Sequence, residues 1–84
     1  MITSEQIRAA RQLIKITADT LAKKSGIGVA TIRRYEAMSG IPSGNARSID
    51  LIQKALEDLG VEFIGTPDHQ PGVRLKWHGN QPFQ

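Results

Sequence analysis

Residues 17–37 read TADTLAKKSGIGVATIRRYEA, and their spacing sets the fold expected of the whole chain. Thr17 is placed to cap a helix that carries Leu21 and Ala22 toward a core. Lys23 and Lys24 fall in its last turn, where cations complement the helix dipole. Ser25-Gly26-Ile27 then makes a tight turn, because glycine adopts a left-handed backbone conformation that side chains disfavour. The next helix, expected over about 28–38, turns Ile32 and Tyr35 inward and leaves Ala30, Arg33, Arg34 and Ala37 free. Two short amphipathic helices joined in this way form a helix-turn-helix, whose second helix usually enters the DNA major groove.

Upstream, Thr3 or Ser4 can cap a first helix with Glu5 and Gln6 in its first turn. Ile7, Ala10, Leu13 and Ile14 recur at spacings of three and four, so one face of this helix is buried. Arg8 and Lys15 are expected in solvent. Arg11 lies on or beside the apolar stripe, and by position alone its stem packs while its head reaches water.

Downstream, residues 38–45 form a loop rich in Ser, Gly and Pro. Ser43 or Asn45 can cap a fourth helix with Ile49, Ile52, Leu56 and Leu59 on one stripe and Leu51 and Ala55 beside it. Gly60 stops it. The period then changes to two in Val61-Glu62-Phe63-Ile64 and Val73-Arg74-Leu75-Lys76-Trp77, as in half-buried strands, with a loop over residues 65–72 between them. Val61, Phe63, Val73, Leu75 and Trp77 are expected to pack on the helices or against another chain, since two strands alone are marginal in water. The expected organisation is therefore mainly α. Four helices occupy residues 1–60, a two-stranded β element of the same domain follows over 61–77, and residues 78–84 are a flexible tail.

Eighty-four residues suffice for one small core, with no cleft between lobes. The net charge is +3, unevenly placed: residues 1–54 hold nine Lys/Arg against four Asp/Glu, and residues 55–84 hold two against four. The positive field thus covers the helical part, where a polyanion would dock. Cysteine is absent, which removes disulfides and thiolate metal sites. No stretch approaches the ~18–20 apolar residues of a membrane span and no charged-then-apolar leader is present, so a cytoplasmic location is expected. His69 and His78 have no carboxylate or cysteine at ligand spacing, and no nucleophile–base arrangement can be drawn. Neither enzyme activity nor a cofactor or metal is expected.

The ordered set Arg8-Ala9-Ala10-Arg11, Leu21-Ala22, Gly26-Ile27, Ala30-Thr31-Ile32-Arg33-Arg34-Tyr35-Glu36 and Pro42-Ser43 resembles the Xre, or lambda-repressor-like, helix-turn-helix regulators over roughly residues 4–60. The resemblance implies a compact lambda-repressor-like DNA-binding core, commonly dimeric, that represses or tunes promoters. It implies that Arg11 and Glu36 pair, linking the first helix to the end of the recognition helix. It places Val29, Ala30, Arg33 and Arg34 at base-reading positions, where an arginine can donate two bonds to a guanine edge. Phosphate contacts fall to Lys15, Thr17, Gly28, Asn45 and Arg47. Ala18 departs from the glutamine common at the start of the second helix, and Gly28 lacks the usual hydroxyl. Lys15 and Ile16 stand where relatives often have Gly and an aromatic. The partner implied is double-stranded DNA with a near-palindromic operator bound by a homodimer. A protein-binding role, such as the antitoxin of a toxin–antitoxin pair, is the alternative, motivated by the acidic balance after residue 54 and by strand edges that pair readily with other chains.

Overall fold

The computed structural model describes residues 1–76. Trp77, and residues 78–84 expected as a tail, lie outside them. Four helices precede an antiparallel hairpin: α1 (Ser4–Leu13), α2 (Ala18–Ser25), α3 (Val29–Glu36), α4 (Ala46–Asp58), β1 (Val61–Thr66) and β2 (His69–Leu75).

Helix α1 begins with a reciprocal capping box. The Gln6 amide donates to Thr3 Oγ1 at 3.1 Å, and the Thr3 amide donates to Gln6 Oε1 at 2.9 Å. The helix ends with Lys15 in the left-handed region (φ 58). The Ile16 and Lys15 amides there donate to the carbonyls of Arg11 and Gln12, the two bonds of a Schellman motif. Lysine takes this conformation at a cost that glycine avoids.

Thr17 caps α2 by accepting from the Thr20 amide, and Gly26 ends it at φ 75. The Ser25 hydroxyl donates to the Leu21 carbonyl at 2.7 Å and accepts from the Ile27 amide at 3.2 Å, so it locks the turn into α3 from both sides. Asn45 caps α4 through the Arg47 amide.

Ile7, Ala10, Leu21, Ile32, Tyr35, Ile49, Ile52 and Leu56 form one buried core shared by all four helices, and Val61 joins it from β1. Helix α2 packs on α3 and α4, and α1 packs on α3, α4 and β2. Leu13, expected on the buried stripe, is 37% exposed. It sits in the last turn of α1, just before the chain turns away at Lys15, and the core holds Ile14 instead. Helix α3 is shorter than the expected 28–38. Its last turn tightens as the Ala37 amide donates to Arg33 and Arg34 and the Met38 amide to Tyr35.

The hairpin differs most from expectation. Residues 65–72 are not a loop: Thr66 pairs with His69, and Pro67-Asp68 alone make the turn. Val61, Phe63 and Ile64 pair with Leu75, Val73 and Gly72, and the register shifts between Ile64 and Thr66. Gly65 sits at that shift with φ 75, and a Cβ there would lie 2.2 Å from the Gln70 carbonyl oxygen. Pro71 is tolerated because a two-stranded sheet has only edge strands, where a missing amide hydrogen costs little. Gly65→Ala is expected to lower stability by about 2 kcal/mol, from left-handed strain and contact with fixed backbone. A urea midpoint measured beside that of the wild type checks this.

The hairpin is tied to α1 by a side chain with little sequence signature. Gln6, 4% exposed, donates from Nε2 to the carbonyls of Ile64 at 3.2 Å and Gly72 at 3.0 Å. Its carbonyl meanwhile serves the capping box, so a buried amide is satisfied at both ends.

Candidate nucleic-acid interface

Helix α3 has two faces. Ile32 and Tyr35 are fully buried and Val29 is half-buried, whereas Ala30, Arg33, Arg34 and Ala37 are exposed. Those four stand at i, i+3, i+4 and i+7 and therefore share one stripe. The Arg33 guanidinium makes no hydrogen bond or ion pair among the described residues. The Arg34 guanidinium carbon lies 5.5 Å from the centroid of the Tyr35 ring, a cation–π contact that steadies it without neutralising it.

The flanking positions surround this stripe in sequence. Lys15, Thr17, Gly28, Asn45 and Arg47 are all exposed. No side chain caps the α3 N terminus, so its first amides keep their donors directed outward from Gly28. The Thr17 hydroxyl and the Asn45 carbonyl are already engaged by the helix caps they form. Glu5, Glu36 and Glu62 are paired away from the stripe, as Arg8–Glu5 in α1, Arg11–Glu36 at its contact with α3 and Arg74–Glu62 in the hairpin. Lys15, Lys23, Lys24, Arg33, Arg34 and Arg47 take part in none of them.

The exit of α3 is held from α1. Arg11 Nε donates to Glu36 Oε2 at 2.8 Å and Nη2 to Oε1 at 2.9 Å, a bidentate fork. Its Nη1 donates to the Ile16 carbonyl at 3.0 Å, so the same guanidinium also fixes the connection between α1 and α2. Hydrogen bonding to Glu36 raises the Arg11 pKa above its ordinary value.

Arg8 is a correction to the sequence-based expectation. It does not simply extend into solvent: Nη1 donates to the Glu36 carbonyl and, at 3.1 Å, to the Met38 carbonyl. Glu5 accepts from the Gly40 amide at 3.0 Å. Sequence spacing carries no signal for either contact, because both partners are backbone groups.

A helix with one buried face, an exposed basic stripe and a glycine turn to the helix before it is the second half of a helix-turn-helix. Residues 7–46 match the helix-turn-helix family. This segment belongs to it. The matched segment runs from the first turn of α1 to the first residue of α4, and it is of the Xre, lambda-repressor-like kind. Such domains are DNA-binding and regulatory and are not typically enzymatic. No curated relative matches the chain. Among the described residues, no His, Cys, Asp and Glu cluster together in a way that would hold a metal, and no helix is long and apolar enough to cross a membrane.

Of the positions considered for contact with a partner chain, Val61 is removed. It is 1% exposed and belongs to the core of its own chain. Phe63, Val73 and Leu75 are half-buried against that core. Ile64, an apolar residue of β1 absent from the sequence-based candidates, is 37% exposed.

The hairpin and α1 also make stability depend on pH. Hydrogen bonds from its own amide and from Gly40 hold the Glu5 carboxyl below its ordinary value of 4.5, and the Arg74 hydrogen bond does the same for Glu62. A depressed folded-state pKa contributes stability above the unfolded value and loses it as pH falls through the folded one. Thermal midpoints should therefore be level near neutrality and decline below about pH 4.5. Glu5→Gln with Glu62→Gln should flatten that decline.

Proposed function

We propose that the chain is a sequence-specific regulator of transcription, a repressor, that binds duplex DNA with α3 in the major groove. The observation that carries this is the exposed stripe of Ala30, Arg33, Arg34 and Ala37 on a helix buried on its other face. Arg33 and Arg34 read base edges, guanine O6 and N7 being the usual target, while the methyl of Ala30 and the exposed part of Val29 meet thymine methyls. Lys15, Arg47 and the amides at Gly28 contact phosphates, assisted by Thr17 and Asn45, and set the register. Two copies bind a near-palindrome with recognition helices about 34 Å apart. Phe63, Val73 and Leu75 contribute to the dimer contact.

A salt titration tests the groove contact. Affinity for duplex DNA should fall steeply and linearly in log–log form as salt rises, because each phosphate contact releases counterions. Affinity that ignores salt, and also ignores Arg33→Ala and Arg34→Ala, would overturn the proposal. Sedimentation tests the dimer, and a monomer at micromolar concentration both with and without DNA would remove it.

A second reading is favoured by the hairpin alone. Its strands both lie at an edge, and Ile64 is exposed on one of them. An antitoxin whose hairpin receives a partner protein would use these features, and such a role is compatible with DNA binding by α3.

A further inference from the structure

Glu5, Arg8 and Arg11 stand three residues apart along one side of α1, and all three reach the end of α3 or the turn that follows it. Arg11 holds the Glu36 side chain, and Arg8 holds the Glu36 backbone carbonyl. Arg8 extends the grip to the Met38 carbonyl, Glu5 to the Gly40 amide, and the Ser4 amide donates to the Gly40 carbonyl at 2.8 Å. The last carbonyls of a helix carry partial negative charge and lack intrahelical donors, so Arg8 acts as a C-terminal cap supplied by another helix. Glu36 is thus fixed at main chain and side chain together, which leaves it little freedom to roll. Arg33 and Arg34 lie within one turn of it.

We infer that Arg8 is a positioning residue for base reading, holding the roll of α3 on the core and thereby the presentation of Arg33 and Arg34. This rests on the proposal that α3 reads DNA. Arg8 touches neither base nor phosphate in this role. Its loss misaligns the recognition arginines while leaving their charges in place. Base contacts depend on that alignment, whereas phosphate contacts to a flexible cation tolerate its loss.

The test compares Arg8→Met and Arg8→Lys with the wild type at one salt concentration and a temperature where all are folded. The probes are a duplex selected by the wild type from a random pool and a scrambled duplex of the same length. The expected result for Arg8→Met is a roughly tenfold fall in the ratio of selected to scrambled affinity, the size of one lost base contact, with the salt slope unchanged. Arg8→Lys keeps the charge but presents no planar fork to two carbonyls, so its ratio should fall as well. Equal weakening on both duplexes with a salt slope reduced by about one would make Arg8 a phosphate contact and overturn the inference. An unchanged ratio in a destabilised variant would reduce Arg8 to a structural cap and overturn it too. If Arg8→Met does not fold, Arg8→Lys carries the same comparison. Failure of the wild type to select any duplex would instead remove the parent proposal.

Discussion

Arg11→Met is expected to lower stability by about 3–5 kcal/mol, while Arg11→Met with Glu36→Leu is expected to lower it far less. The Glu36 side chain is 10% exposed and that of Arg11 is 21% exposed, so neither charge is well solvated once its partner is gone. Removing Arg11 leaves a largely buried carboxylate with both of its charge-assisted bonds lost, and the Ile16 carbonyl loses a donor as well. Removing both partners deletes the desolvation cost together with the attraction. A single domain of this size holds on the order of 5–15 kcal/mol in all, so the single variant gives up a large part of it. Urea denaturation of the two single variants and the double variant gives the coupling directly. A double variant as unstable as the worse single variant would show that the pair is not acting as a buried pair. The stable double variant should still lose DNA specificity, because α3 then lacks its side-chain tie to α1.

Arg33→Ala and Arg34→Ala should each weaken binding to the preferred duplex by about 1–3 kcal/mol. Both side chains are exposed and neither takes part in an ion pair given above, so stability should stay within about 0.5 kcal/mol of the wild type. A residue that reads a base relaxes preference at one position when removed, whereas a phosphate contact weakens all sequences equally. Arg33 has no hydrogen bond or ion pair among the described residues, so binding DNA breaks no such contact. Arg34 starts from a defined place over the Tyr35 ring, which lowers the entropy lost on docking. Electrophoretic mobility shifts on the preferred duplex and its single-base variants separate these outcomes. A variant of either arginine that binds as tightly and as selectively as the wild type would remove that residue from the reading face.

Much of the helical part was legible because its signals are local. Ser25-Gly26 marks a turn that only a few backbone conformations satisfy, and the spacing of Leu21, Ile32 and Tyr35 shows which faces meet. Thr17 and Asn45 announce their helices through caps whose partners lie two or three residues away. The Arg11–Glu36 pair spans 25 residues and came from resemblance rather than spacing. What could not be read has a common physical origin. Arg8 and Gln6 act on main-chain carbonyls 28 to 66 residues distant, and a carbonyl carries no residue identity. The hairpin is not legible in the sequence because Gly65, Pro67, Pro71 and Gly72 have the composition of a loop. Here a left-handed glycine and a tolerant strand edge absorb them into a ladder. Which of Phe63, Val73 and Leu75 meets another chain depends on a surface that a single sequence does not encode locally.

Selection of bound duplexes from a random pool tests whether α3 reads a particular base sequence. The expected result is enrichment of a near-palindrome whose half-sites lie about 10 base pairs apart, with at least one guanine that loses its enrichment when Arg33 or Arg34 is replaced by alanine. A bound pool no richer in any sequence than the starting one, or an enriched site indifferent to both arginines, would contradict it.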